Sequence, residues 1–545
     1  MTIAQPDPPP PELAPRLAEL LDPASFAHPV TQLQLRETAI SWVLLTGSYA
    51  YKIKKPVRFD FIDASSLQRR QFLCAEELRL NRRFAPDLYL EVVPIVEQQG
   101  RLRIGGAGTP LDYAVRMRQF AASEELGNQL SQARVTREDI AALGHSIAAQ
   151  HRRAAVAAVG DAYGDPELIR AQLQENFGPL RCALTDAAEL QLLERLECWS
   201  RQSIDRLAPL LRRRRDGGRV RECHGDLHAG NIVRWHGQFV PFDCLEFAPA
   251  LRWIDVISDI AFLFMDLLSH ARPDLAFVYL SAWLEDSGDY EGLRLLPLFA
   301  VYRALVRAKV DALGVASAAT DVAQTLRARL RARLDTAAEL MSERAPALLL
   351  MHGVTASGKS WLSEQLIGAL GAVRMRSDLE RRRLEERPGA GPAATPAAAG
   401  VGEGAYSAVA RERTYRRLLD CADSALAGGC HAIVDATFLD RSARQQFEAL
   451  ARRRHCPLLI VSCRAERATL ENRLRERSRR GDDPSEATLA VLESQLQAAE
   501  SFSDEELAST VQIDTGSQAA IHAGIDVVQA RVQRLTARKV TRRSD

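Results

Sequence analysis

A chain of 545 residues, 46% apolar and 26% charged, is too long for a single hydrophobic core and too evenly mixed for a disordered or membrane-embedded protein. A formal net charge of +1 excludes a global field for nucleic acid or an anionic membrane. The nine scattered cysteines include no C-x-x-C pair, which argues against a disulfide framework or a zinc site and for a reducing cytoplasm.

Residues 1–25 open with the proline-rich "MTIAQPDPPPPELAPRL" and read as a disordered lead without signal-peptide character. From 40 to 57, "ISWVLLTGSYAYKIKKPV" predicts two strands around a Gly-Ser-Tyr turn. Residues 64–84 have helical periodicity, further strands are expected at 90–96 and 111–118, and a mostly helical stretch at 136–212. "HGDLHAGN" follows, then a hairpin, "IVRWHGQFVPF", with His236 and Gly237 at its turn. The most apolar window, "DVISDIAFLFMDLL", carries Asp255, Asp259 and Asp266 and reads as a buried amphipathic helix, not a membrane span. Helices continue to about 340. Strands first and helices later predict a two-lobed α+β unit over 26–335.

A different pattern begins at 345. The apolar runs "LLLMHG", "HAIVDATF" and "PLLIVSCR" alternate with helical stretches, which predicts a parallel α/β sheet over 345–535. The low-complexity stretch 387–405 reads as a loop inside it.

"GVTASGKS" fits the phosphate-loop pattern G-x-x-x-x-G-K-[ST], with a strand before it and a helix after. Small residues let the backbone N–H groups of Gly353, Val354, Thr355, Ala356, Ser357 and Gly358 turn around phosphate, and the following helix adds its positive end. Lys359 suits the β- and γ-phosphates of ATP and Ser360 suits Mg2+. Asp378, in "RMRSDLERRR", suits a base for an acceptor hydroxyl or simply the start of a helix. Asp435, ending a strand, suits Mg2+ or substrate, or a turn. Arg473 and Arg477 suit a flap over the transferring phosphate, or a solvated helix face. "GVTASGKS", "RSDLERRR", "IVDATF" and "RLRER" together resemble the small P-loop kinases related to polynucleotide kinase and the zeta toxins. The resemblance implies transfer of the ATP γ-phosphate to a hydroxyl.

"HGDLHAGN" has the kinase catalytic-loop spacing H-x-D-x-x-x-x-N. Asp226 would face an acceptor hydroxyl as base, Asn231 would turn back to Mg2+, and His224 would brace the loop. The hairpin then delivers Asp243 as a second metal-binding carboxylate. Upstream, "AYK" matches a nucleotide-binding strand with Lys52 on the phosphates and Lys54 as its rival, and the helix at 64–84 offers Glu77, then Glu76, as the lysine's partner. These features resemble the aminoglycoside phosphotransferase family, which shares the protein-kinase-like fold. On that resemblance Asp255 and Asp259 support the catalytic loop. One departure is plain: "TGSY", Thr46 to Tyr49, stands where a G-x-G-x-x-G loop is expected.

The expected molecule is therefore a two-domain protein, a protein-kinase-like fold followed by a P-loop parallel sheet, an order that resembles a bacterial fusion class. Its expected activity is ATP- and Mg2+-dependent phosphoryl transfer to a small hydroxyl-bearing acceptor, with no membrane partner. The competing readings are a nucleotide sensor in which one half controls the other, and a kinase of nucleic-acid ends. The near-neutral charge and the lack of interleaved aromatics oppose the second of these.

Overall fold

The computed structural model describes residues 13–59, 62–315, 319–342, 345–386, 408–480 and 488–542. Six antiparallel strands, β1 Gln34–Glu37, β2 Ser41–Leu45, β3 Tyr49–Lys54, β4 Tyr89–Gln98, β5 Arg101–Ile104 and β6 Pro110–Arg118, lie in the order β1-β2-β3-β6-β4-β5. Both faces of this sheet are covered. Tyr51, Ile53, Ile95 and Leu102 point to one core, and Ala50, Tyr89, Val115 and Met117 to the other with Cys74 of helix α1, Leu67–Asn81.

The first face corrects the expectation of a disordered lead over 1–25. Residues 14–21 and 23–25 form 3-10 turns. Leu13, Leu17 and Leu20 recur at helical spacing and bury themselves on the sheet with Phe26, and Arg16 pairs with Glu97 at 2.6 Å. Apolar spacing beyond the prolines overrides the composition of the lead. Residues 1–12 lie outside the described residues, as do 387–405.

The sheet, α1 and residues 213–259 pack as one compact unit, together with 153–164. Here β7 Val220–Glu222 pairs with β10 Trp253–Asp255, and β8 Ile232–Trp235 with β9 Gln238–Pro241, turning at His236 and Gly237 as the sequence predicts. Arg214 and Asp255 form a bidentate ion pair at 2.8 and 2.9 Å, each 2% exposed. Arg214→Met strands the Asp255 charge, so urea unfolding should show a loss of about 3–5 kcal/mol.

The second unit holds residues 136–152, 165–212 and 260–545. It contains most of α2 Arg137–Arg153, α3 Ala187–Asp216 and α4 Val256–Ser269, and the whole of α5 Pro273–Ser287, α6 Leu296–Val315 and α7 Thr320–Met341. The apolar window opens on Asp255, the last residue of β10, and continues as α4, whose residues from Val256 to Leu267 are buried. Among the described residues no helix is long and apolar enough to cross a membrane.

Residues 345–542 add a five-stranded sheet, all parallel: β11 Leu348–His352, β12 Ala372–Arg376, β13 His431–Asp435, β14 Leu458–Arg464 and β15 Thr510–Asp514, in the order β12-β13-β11-β14-β15. Helices line both faces, so β11, β12, β13 and β14 are continuous buried runs rather than alternating ones, while the edge strand β15 is largely accessible. The change of pattern near residue 340 is a border of fold type, not of packing. Phe277 of α5 lies against Gly371 just before β12, and the Tyr290 hydroxyl donates to the Arg374 carbonyl of β12 at 2.9 Å.

Two candidate nucleotide sites

The first site is built where β3 crosses the buried face of α1. The α1 helix starts at Ser66, whose side chain caps the Arg69 amide. Its buried residues Cys74, Glu77 and Asn81 recur at three and four positions, so an acid lies on an inward-facing stripe. A buried carboxylate requires partners, and β3 supplies them. Lys52 and Lys54 share a strand face two residues apart. Lys52 Nζ lies 2.9 Å from Glu77 Oε1 and pairs with Asp243. Lys54 Nζ lies 2.5 Å from Glu77 Oε2 and pairs with Glu246. Lys54 is wholly buried, whereas the Lys52 side chain keeps 14% exposure and Asp243 41%. The rivalry between the lysines is resolved by depth: Lys52 faces the open side with Asp243, and Lys54 anchors the floor.

The charges reinforce one another. Burial opposes ionisation of Glu77, but Lys52 and Lys54 outweigh it and hold the carboxyl down at about 2. Burial also opposes the charge on Lys52, yet Asp243, Glu77 and Glu246 keep its ammonium well above the usual lysine range. Burial pushes Glu246 upward against the pull of Lys54.

The loop 224–231 is tied to this cluster through backbone. Gly225 has φ +84°, and a Cβ there would stand 2.8 Å from the Leu251 carbonyl, so glycine is required. Asp259 receives the amides of His224 and Gly225 at 3.2 and 2.8 Å, the loop-supporting role expected of it. Asp255 serves elsewhere: it pairs with Arg214 and caps the Ile257 amide. Asn231 Nδ2 donates to the Asp226 carbonyl at 3.0 Å and to its Oδ2 at 2.9 Å. Phe242 is gripped on both sides: its amide donates to the Asn231 carbonyl at 2.9 Å, and its carbonyl lies 3.0 Å from His224 Nε2. Burial lowers the His224 pKa, which keeps the brace neutral. Asp243 follows immediately, at φ +60°, its amide donating to the Tyr89 hydroxyl at 3.0 Å. The next amide, of Cys244, donates to Asn81 Oδ1 at 2.8 Å.

One chain of contacts thus joins Asp226, Asn231, His224, Asp243, Lys52, Lys54 and Glu77. Glu76 is not part of it and pairs with Arg79 at 2.8 Å. Sequence reasoning missed Tyr89, Asn81 and Glu246. Only Glu246 left a signal, as the second acid of "FDCLEF". At the turn that replaces a glycine-rich loop, Thr46 bonds Tyr49 through backbone and hydroxyl, and Gly47 donates to Gln119 at 2.8 Å. It is a locked hairpin end.

The second site lies at the carboxyl edge of the parallel sheet, where every strand delivers its following loop to the same side. The phosphate loop follows β11, Asp378 follows β12, and Asp435 ends β13. They line one cavity of about 790 Å³ with Lys359, Ser360 and Arg376. Gly353 has φ +141° and a Cβ there would meet the Cys463 carbonyl at 2.6 Å. Ala356 and Gly358 also take positive φ, the alternating bend of an anion-binding nest. The carbonyls of the loop are taken by other partners: Val354 by Lys359 at 2.7 Å, Ser357 by the Thr515 hydroxyl at 2.8 Å, and Ala356 by Arg473 at 3.2 Å. Three of the amides expected on phosphate are instead engaged within the protein: Gly353 donates to the Thr437 carbonyl at 3.1 Å, Thr355 to Gln495 at 2.7 Å and Ser357 to the Val354 carbonyl at 3.3 Å.

Asp435 is 5% exposed and accepts from the Ser363 hydroxyl at 3.0 Å. Asp378 sits in the first turn of helix α8, Ser377–Glu385, and pairs with Arg376 at 2.8 Å. Arg473 occupies a different post from the flap expected of it. Its guanidinium also donates to the Thr515 carbonyl at 2.6 Å, so it braces the phosphate loop. The Arg477 side chain lies outside the described residues.

His352, the residue before the loop, is held neutral. Burial first, then Arg444 and Lys359, lower its pKa to about 4. The folded chain therefore binds fewer protons here than the unfolded chain between its ordinary 6.5 and about 4, and stability falls as pH falls through that window. His352→Gln should flatten that loss by at most about 3 kcal/mol in urea titrations at successive pH values.

Oxygen donors dominate both places where a metal is expected: Asn231 and Asp243 in the first, Ser360 and Asp435 in the second. Carboxylate, amide and hydroxyl oxygens are the donor set of Mg2+, not of zinc or copper. Residues 348–502 match the family model AAA_33, described as an AAA domain. The chain joins a unit built on a six-stranded antiparallel sheet to a five-stranded parallel sheet that carries the phosphate loop. Along most of its length it is similar to the uncharacterized proteins Rv2004c of Mycobacterium tuberculosis and Mb2027c of Mycobacterium bovis, each 28% identical over 479 residues, 86% of this chain and 91% of theirs. Among solved structures it is similar to a choline kinase from Cryptosporidium parvum, 12% identical, covering 60% of this chain and 96% of that one with a TM-score of 0.36. It is also similar to a gluconokinase from Sinorhizobium meliloti, 20% identical, covering 36% and 98% with a TM-score of 0.26.

Proposed function

We propose that this protein is a bifunctional ATP-dependent phosphotransferase whose two pockets each pass the γ-phosphate of ATP to a hydroxyl of a small acceptor. The observation that carries the reading is the meeting of Asp243 with the Lys52–Glu77 pair, beside the loop of Asp226 and Asn231. A structural salt bridge has no need of an aspartate at positive φ, partly open to solvent, next to a buried lysine.

In the first pocket Lys52, aimed by Glu77, takes the phosphates, and Asp226 accepts the acceptor's proton at a carboxylate oxygen. Asn231 and Asp243 would hold Mg2+. In the second, the 353–360 loop and Lys359 cradle the triphosphate, Ser360 and Asp435 would hold Mg2+, and Asp378 orients the acceptor hydroxyl with Arg376 fixing its carboxylate. Bound Mg2+ supplies charge neutralisation on the transferring phosphoryl group. Phosphoryl transfer asks little covalent help of the protein, so positioned charge suffices. Buried thiols such as Cys74, Cys244 and Cys463, none in a disulfide, support a cytoplasmic setting.

The test is γ-labelled ATP incubated with a metabolite extract and the full chain. Labelled products that vanish singly, one with Asp226→Asn and another with Lys359→Met, support two activities. No labelled small molecule in any extract refutes the proposal.

A further inference from the structure

Behind the second pocket, a buried line of polar contacts leads out of the parallel sheet and into helix α5. Arg374, in β12, is 6% exposed at its side chain, and Glu285, near the end of α5, is 11% exposed. Two guanidinium nitrogens converge on one carboxylate oxygen: Nε lies 2.8 Å and Nη2 2.7 Å from Oε1. The remaining fork of Arg374 points toward the phosphate loop. Nη1 donates to the Ser360 carbonyl at 3.0 Å and to the Ser363 hydroxyl at 3.3 Å. Ser363 Oγ in turn lies 3.0 Å from Asp435 Oδ2 and 3.0 Å from the Ser360 carbonyl. Glu364 also approaches Arg374, at 4.0 Å, but is 58% exposed at its side chain.

The residues offered for magnesium in this pocket, Ser360 and Asp435, are therefore both held by Arg374, one through its carbonyl and one through Ser363. Among the described residues, Glu285 is the buried carboxylate in direct contact with Arg374. The segment after Glu285 is secured by three further contacts: Tyr290 with the Arg374 carbonyl at 2.9 Å, Arg383 with the Glu285 carbonyl at 2.6 Å, and Arg417 with the Gly288 carbonyl at 2.7 Å. A solvated ion pair would not need such fixing of its backbone.

We propose that Glu285, supplied by the helical part that precedes the P-loop domain in the chain, is a positioning residue for the magnesium side of the P-loop pocket. It acts through Arg374 on Ser360 and, through Ser363, on Asp435. The inference rests on the reading of that pocket as a MgATP site. It also ties the P-loop domain to the helices that precede it, because residues 345–535 alone lack Glu285.

The test uses the full chain carrying Lys52→Met, so that a fluorescent N-methylanthraniloyl-ATP reports the second pocket. Affinity is measured with Mg2+ and with EDTA. Outer partners of metal ligands typically govern 10–100-fold in metal affinity. Glu285→Gln should therefore weaken the Mg2+-dependent part of binding by about 10–100-fold and leave binding in EDTA unchanged. The double variant Glu285→Met, Arg374→Met removes both charges together and leaves neither buried alone. It should keep a parental melting temperature and show the same loss. Parental magnesium dependence in either variant overturns the proposal. Absence of binding in the Lys52→Met parent, or binding that survives Lys359→Met, instead refutes the nucleotide reading of the pocket.

Discussion

Replacing Asp226 by Asn is expected to lower turnover by the first pocket about 10²–10⁴-fold, the usual weight of a positioned general base, while nucleotide affinity stays near parental. Asn preserves shape and can still accept from Asn231 Nδ2, which in the native chain lies 2.9 Å from Asp226 Oδ2. What it loses is the basic oxygen. Glu77→Gln should behave differently. It removes the charge that both lysines share, so two ammonium groups face each other with Asp243 and Glu246 as their remaining counter-charges. Affinity for ATP and folding stability should then fall together. Single-turnover rates measured across ATP concentrations separate the two outcomes: Asp226→Asn slows transfer at saturation, Glu77→Gln raises the ATP concentration needed for it.

Lys359→Met should remove the second activity by about 10²–10³-fold, as expected when one preorganised donor is taken from a transition state that accumulates charge. The first activity should be untouched. Lys359 also donates to the Val354 carbonyl at 2.7 Å, so the variant loosens the loop as well as losing its charge. Arg473→Met offers the contrast. Its contacts run to the carbonyls of Ala356 and Thr515, so it should shift the melting temperature more than turnover at saturating ATP. A flap arginine would show the reverse.

Much of this arrangement was legible in the residues because it depends on local spacing. The phosphate loop, the H-x-D-x-x-x-x-N loop and the hairpin leading to Asp243 are short-range geometry, and short-range geometry is what a sequence writes most openly. Glu77 was legible, ahead of Glu76, as the lysine's partner in the kinase pattern; its place on the buried stripe of α1 showed only in the fold. Lys52 and Lys54, two residues apart on one strand face, were indistinguishable until depth separated them.

What stayed hidden depends on contacts between distant segments. Glu246 became meaningful only when Lys54 was seen to be wholly buried. Glu285 and Arg374 are 89 positions apart, and no local pattern joins them. The opening segment misled for the opposite reason. Proline content suggested disorder, but Leu13, Leu17 and Leu20 had an apolar sheet face to cover. Arg473 looked like a phosphate clamp because it sits in an arginine-rich helix. Its partners are the loop carbonyls, which nothing in "RLRERSRR" declares.

The most direct measurement is the stoichiometry of a non-hydrolysable ATP analogue on the full chain, by titration calorimetry in Mg2+. Two sites per chain are expected, with one lost in Lys52→Met, the other in Lys359→Met, and both in the double variant. A single site, or one substitution that abolishes all binding, would contradict the account of two independent nucleotide pockets.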